Sequence, residues 1–208
     1  MKSPMSVIIK YDFLGKAFKF IVDNNKSNTA PYHNLNHLLV YTKAVEDIVE
    51  YEYEGEIQIK TRNSMLIAAI FHDFNHSAGR ETDDKNIEDA KEGVRKFLEQ
   101  EKINVDIEFI DSLLDATQYP YVIPEKELSE YQKIMRDADL FQLFQPNWVH
   151  QCIFGLSQES SKTIREFVDI QLKFLSSAKF HTLYGKEWQR ENWNRLIAET
   201  KIIKELLK

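Results

Sequence analysis

The sequence predicts an all-α fold, a helical bundle in one domain, and three observations predict it. Apolar residues recur at helical spacing through nearly the whole chain. No segment alternates apolar and polar residues in the way of a half-buried strand. Backbone breakers are few, 6 Gly and 5 Pro in 208 residues, so the stretches between helical patterns are short. A chain of this length buries roughly 70% of the surface that its unfolded form exposes, enough for a core without disulfides.

The elements follow in order. Residues 11–22 read as a first helix, stopped by the polar stretch DNNKSNTAP. Asn34 can cap a second, with Leu35, Leu38, Leu39, Val45 and Ile48 on its apolar side and an end near Gly55. Thr61 or Asn63 starts a third, whose residues 65–71 (MLIAAIF) are apolar on every face, as in a central buried helix. Asp83 or Asp84 can cap a fourth, in which Ile87, Ala90, Val94, Phe97 and Leu98 keep helical spacing. Further helices are expected over residues 106–118, 127–144, 162–180 and 188–207. The longest connection, residues 118–126, carries Tyr119-Pro120-Tyr121 and Pro124. No repeat, low-complexity tract or linker divides the chain, so residues 1–208 are expected to form a single domain.

Composition narrows the function. The 33 acidic residues outnumber 27 Lys and Arg, the net charge is −6, and the basic residues form no cluster. Polymeric nucleic acid is therefore not an expected partner, although a local pocket for one small phosphate compound is compatible with this charge. No apolar run approaches the ~20 residues of a membrane span. The N-terminal MKSPMSVIIKYDF is a poor secretory signal, and the single Cys152 has no internal disulfide partner. A cytoplasmic location is the default expectation.

Four of the six His residues fall in two short segments, YHNLNH with His33 and His37, and HDFNH with His72 and His76. Each pair is spaced i, i+4, which on a continuous helix places both rings on one face. Pro31 and the cap at Asn34 put His33 on the incoming loop instead. Asp73 follows His72 directly, and DADL supplies Asp137 and Asp139 from another helical pattern. Imidazole and carboxylate are ligand types for zinc, iron, manganese and magnesium, and bundles build metal sites from separate helices facing one core. A lone i, i+4 His pair also occurs on solvated faces, and His near a helix C-terminus has a purely electrostatic rationale. Two pairs, an adjacent Asp and a later Asp together point to a site.

The order His37, His72-Asp73 and an Asp of DADL resembles the HD superfamily of metal-dependent phosphohydrolases. YHNLNH is similar to the Y-H-N-x-x-H segment of the class I cyclic-nucleotide phosphodiesterases, and HDFNHSAG to their H-D-x-x-H-x-x-G segment. The resemblance covers about residues 31–144, with residues 145–208 as a helical C-terminal extension. It implies an HD-type bundle with divalent metal, one or two ions of Mg, Mn, Zn or Fe. By that resemblance His37, His72, Asp73 and Asp139 ligate the first ion, with Asp137 as the alternative last ligand. Asp73 also bridges to a second ion held mostly by water, His33 is the general acid, and His76 orients the nucleophile. The implied reaction is hydrolysis of a small phosphoester, a nucleotide or cyclic-nucleotide phosphodiester.

Other residues are weaker candidates: Asn34, Asn86, and Arg80 and Lys85 as phosphate clamps. Gln118 and Tyr119 stand where many HD proteins place a further His, which argues against a second protein-rich metal site. The chain lacks a recognisable base-binding region, Gln189 being the one tempting residue there. His150, His181, Trp148, Trp188 and Trp193 either line a pocket or pack. Two alternatives stay open, an HD-type diiron oxygenase and a non-catalytic HD-fold binding protein. The first lacks two expected His ligands, since residues 77–137 contain none.

Overall fold

A computed structural model describes residues 3–208. It contains ten α-helices, and among the described residues no strand: α1 (Met5–Lys10), α2 (Asp12–Asn24), α3 (Leu35–Tyr53), α4 (Ile59–Phe71), α5 (Asp83–Gln100), α6 (Ile107–Asp115), α7 (Glu130–Asp139), α8 (Leu156–Glu159), α9 (Ile164–Ser177) and α10 (Leu183–Leu206). Short 3₁₀ turns at Glu125–Glu127 and Leu140–Phe144 and a π-helical segment at Val149–Gly155 complete it. Among the described residues no helix is long and apolar enough to cross a membrane.

The run MLIAAIF forms the second half of α4, and all seven residues are buried. α4 packs on α3, α6, α2 and α5, so its apolar faces have neighbours all round. One hydrophobic cluster gathers residues from Val7 to Leu196 around it. Near the end of α4, Phe71 meets Phe20 and Phe97 at ring-centroid distances of 6.0 and 5.4 Å, and Phe74 meets Phe71 at 5.7 Å. The last turn of α4 is thereby fixed in a dry aromatic nest.

Several boundaries differ from the sequence expectation. α1 precedes the expected first helix, and Tyr11 is an extended residue between the two. α4 begins at Ile59, before Thr61 and Asn63. Thr82 is the N-cap of α5, without a side-chain bond, and Asp83 and Asp84 occupy its first turn. The helix expected over residues 127–144 is broken: Ser129 and Gln132 form a capping box that starts α7, and the chain tightens to 3₁₀ after Asp139. Residues 149–159, not anticipated as helical, fold as the π-helical segment and α8. α10 starts at Leu183, because the Thr182 hydroxyl caps Gly185 N five residues earlier than the expected Trp188.

Candidate metal centre

The chain arranges three helix ends around one point. Asn34 caps α3, its Oδ1 accepting from the N–H groups of Asn36 and His37, which sets His37 in the first turn. His72 and Asp73 follow the last residue of α4, and Asp139 closes α7. His37 Nε2 lies 3.2 Å from His72 Nε2, 3.2 Å from Asp73 Oδ2 and 3.2 Å from Asp139 Oδ1. His72 Nε2 is 3.0 Å from Asp73 Oδ2.

His72 has its tautomer set by a backbone partner, whereas His37 Nδ1 has no hydrogen-bond partner. His72 Nδ1 is 2.8 Å from the carbonyl of Ala69, which can only accept, so Nδ1 carries the proton and Nε2 turns a lone pair inward. The Tyr41 ring stacks on His72 at 3.7 Å, with its hydroxyl donating to Met135 O, and Tyr32 packs on His37 at 4.6 Å. Asp73 Oδ2 sits between two ring nitrogens, yet no donor is aligned on it, and it is buried. A cation placed among these atoms satisfies an oxygen that the protein leaves without a hydrogen bond. His37 and His72, both buried, and the partly buried Asp139 form a donor set that could hold a metal ion, and Asp73 Oδ2 lies within 3.2 Å of both rings.

The electrostatics agree. Burial lowers the His37 pKa, but the Asp139 and Asp73 carboxylates outweigh it and push the ring up to about 9. Burial raises Asp73, and the imidazoles of His72, His33 and His37 overcome this and hold it well below the usual carboxylate range. Both shifts describe a pocket that wants positive charge among its acids.

A cavity of about 740 Å³ opens on this cluster, with His33, His72, Asp73, His76, Asp139 and Glu159 in its wall. His33 lies on the loop before α3, as expected, and its Nδ1 pairs with Glu159 Oε2. Glu159 Oε1 also accepts from Tyr32 N at 2.7 Å and His33 N at 3.1 Å, so one carboxylate fixes both backbone and ring. Burial raises Glu159, and His33 with the two N–H groups brings it below its ordinary value.

His76 stacks on His33 with centroids 3.5 Å apart and planes at 23°. His33, Asp73 and His76 are also close enough to form a second group of ion ligands. His76 Nδ1 accepts from Ala78 N at 3.1 Å, while Nε2 faces Asp83 Oδ1 at 3.6 Å. Burial lowers the His76 pKa, and Asp83 with the nearby acids raises it above the ordinary value. The loop that carries His76 is tied down elsewhere: Asn75 N donates to Asn25 Oδ1, and Ser77 N to Asn86 Oδ1. Its Gly79 has φ +81°, and a Cβ there would stand 2.5 Å from Glu159 O.

Asp137 is not in the cluster. Fully buried, it accepts from His181 N, Thr182 N and Thr182 Oγ1 and anchors the start of α10, which removes it as the alternative ligand. Asn86 is buried and holds the HDFNHSAG loop rather than facing solvent. Arg80 is exposed, Lys85 pairs with Asp89, and neither lines the cavity. Gln189 donates to Ala178 O and does not line it either. His150 is exposed, while Trp148, buried, donates to Glu199; Trp188 and Trp193 pack with Phe144.

Sequence reasoning missed Glu159 and Gln171. Gln171 lines the cavity, is 3% exposed, and its Nε2 has no hydrogen-bond partner. A signal existed: Gln171 shares the buried stripe of α9 with Phe167, Val168 and Leu175, where an amide is out of character. Comparison of the chain with protein-family models, with curated proteins and with solved structures finds no match.

Proposed function

We propose that this protein is a metal-dependent phosphohydrolase acting on a small nucleotide-class phosphoester. The observation that carries the reading is the convergence of His37 Nε2, His72 Nε2, Asp73 Oδ2 and Asp139 Oδ1 at one end of the buried α4, facing a cavity. The sequence resemblance to HD phosphohydrolases points the same way. A divalent ion held by these four residues would polarise the phosphoryl oxygens and supply a water of lowered pKa.

The protein's own residues do the rest. As water adds to phosphorus and the ester P–O bond breaks, the departing oxygen takes a proton from His33, an imidazole serving as general acid. Glu159 holds the ring for it. His76, held by Asp83 and stacked on His33, keeps the attacking side ordered. In the cavity wall, Gln171 lies with Phe167 and Phe174, its Nε2 buried and without a hydrogen-bond partner. A flat ring, such as a nucleobase, suits the aromatic part of that wall.

The test separates the roles. His33→Ala should retain bound metal by elemental analysis and lose turnover of a nucleotide panel by about 10²-fold or more. Loss of metal in that variant would show that His33 is a ligand and that the assignment of roles is wrong.

A further inference from the structure

We propose that the substrate is a linear phosphodiester joining two ring-bearing groups, in chemical class a dinucleoside monophosphate. One ring seats against α9 and the other on an aromatic lip made by Tyr119 and Tyr121. The inference rests on the phosphohydrolase reading and deepens it.

The cavity has two surfaces suited to flat rings, carried by different elements. One is on α9, with Phe167, Gln171 and Phe174. α9 packs on α10, α8 and the π-helical segment. The other is the segment after α6, where Tyr119 and Tyr121 also line the cavity and remain 64% and 44% exposed. Their rings meet edge to face, with centroids 5.6 Å apart.

A loose loop would let two such rings pack away from water, but this one is held. Tyr119 N donates to Asp83 Oδ2 at 2.6 Å. Buried Arg136 brackets the loop, its Nε donating to Ala116 O at 2.7 Å and its Nη2 to Ile123 O at 2.8 Å. The same guanidinium lies 3.8 Å from the centroid of the Tyr121 ring. Aromatic faces fixed in advance and left exposed at a cavity form a stacking platform, since little ordering entropy is lost when a ring lands on them.

A cyclic mononucleotide has one base and covers one surface; a linear diester between two nucleosides covers both. Hydrolysis then breaks one P–O bond and gives a nucleoside and a nucleoside monophosphate. Of the water's two hydrogens, one is matched by the proton that His33 delivers to the leaving oxygen. The other ends on the phosphate or in solvent.

The experiment compares kcat/KM of the Mn²⁺-loaded protein for adenylyl-(3′→5′)-adenosine, for AMP methyl ester, in which a methyl replaces one nucleoside, and for 3′,5′-cyclic AMP. The dinucleotide should exceed each of the others about tenfold, the worth of one base–aromatic stack. In Tyr121→Ala, the ratio of dinucleotide to methyl ester should fall toward one. Equal turnover of all three by the wild type, or a ratio unchanged in both Tyr121→Ala and Tyr119→Ala, overturns the inference and leaves the phosphohydrolase reading standing. If none is hydrolysed, that reading fails, and equilibrium binding decides the lip. About tenfold tighter binding of the dinucleotide than of the methyl ester, lost in Tyr121→Ala, supports the two-ring site; equal binding overturns it.

Discussion

Glu159 is the residue that holds His33 in place. Its carboxylate has a side-chain exposure of only 4%, and it is balanced by the ring and two backbone N–H groups. Because the folded pKa lies below the ordinary value of 4.5, the stability Glu159 contributes is present above that value and is lost as pH falls through the folded pKa. Urea unfolding followed from pH 6 to pH 3 should therefore show a decline that Glu159→Gln lacks in part; identical slopes would mean that the carboxylate is not held in this way. His37, His72 and Asp73 were legible in the sequence because two short motifs carry them. Glu159 was not, since its partner His33 is 126 positions away and only tertiary packing brings them together. Gln171 was marked in the sequence only as an amide in the apolar stripe of α9.

At the scale of elements, the site is a meeting of helix ends, and what sets those ends decides its precision. The interior of α4 was legible as all-round apolar sequence, and the Asn34 cap as a standard start signal. The boundaries of α7 and α10 were obscured because periodicity does not mark where a helix tightens or where a distant carboxylate anchors the cap residue. Asp137 is the case in point: two residues before Asp139 in sequence, it faces α10 instead of the cavity. Gly185 accommodates it, since a Cβ there would meet Asp137 Oδ2 at 2.6 Å. Asp137→Ala should leave the backbone N–H groups of His181 and Thr182 without their acceptor and cost about 3 kcal/mol, near 10 °C in melting temperature. Its metal content should be unchanged. A variant that melts normally but loses metal would return Asp137 to the ligand set.

For the whole molecule, charge and topology work together. The protein carries −6 overall, and its cavity wall gathers Asp73, Asp83, Asp139, Glu81 and Glu159 against Lys173. A phosphate anion entering such a cavity needs cations there first. The cluster also joins α3, α4 and α7, which belong to one core, so an ion bound to it stabilises the fold by linkage. Mn²⁺ at about a hundred times its dissociation constant should add roughly 2.7 kcal/mol and raise the melting temperature by roughly 5–10 °C, reversed by chelator. No shift with Mn²⁺, Mg²⁺ or Zn²⁺ would count against a folded-state site. The all-α architecture was readable from helical periodicity alone. The extension after residue 144 was readable only as helical, because the contact that ties it to the cavity, Glu159 with His33, joins segments remote in sequence.

Hydrolysis of bis-p-nitrophenyl phosphate by wild-type protein and Asp73→Ala, each with and without Mn²⁺ and checked for equal helicity, tests the central claim most directly. The wild type should hydrolyse the diester only with metal, and Asp73→Ala should hydrolyse it in neither condition, because the variant loses the carboxylate that sits between both imidazoles. Full metal-dependent activity in Asp73→Ala, or none in the wild type with any divalent ion, would contradict the account.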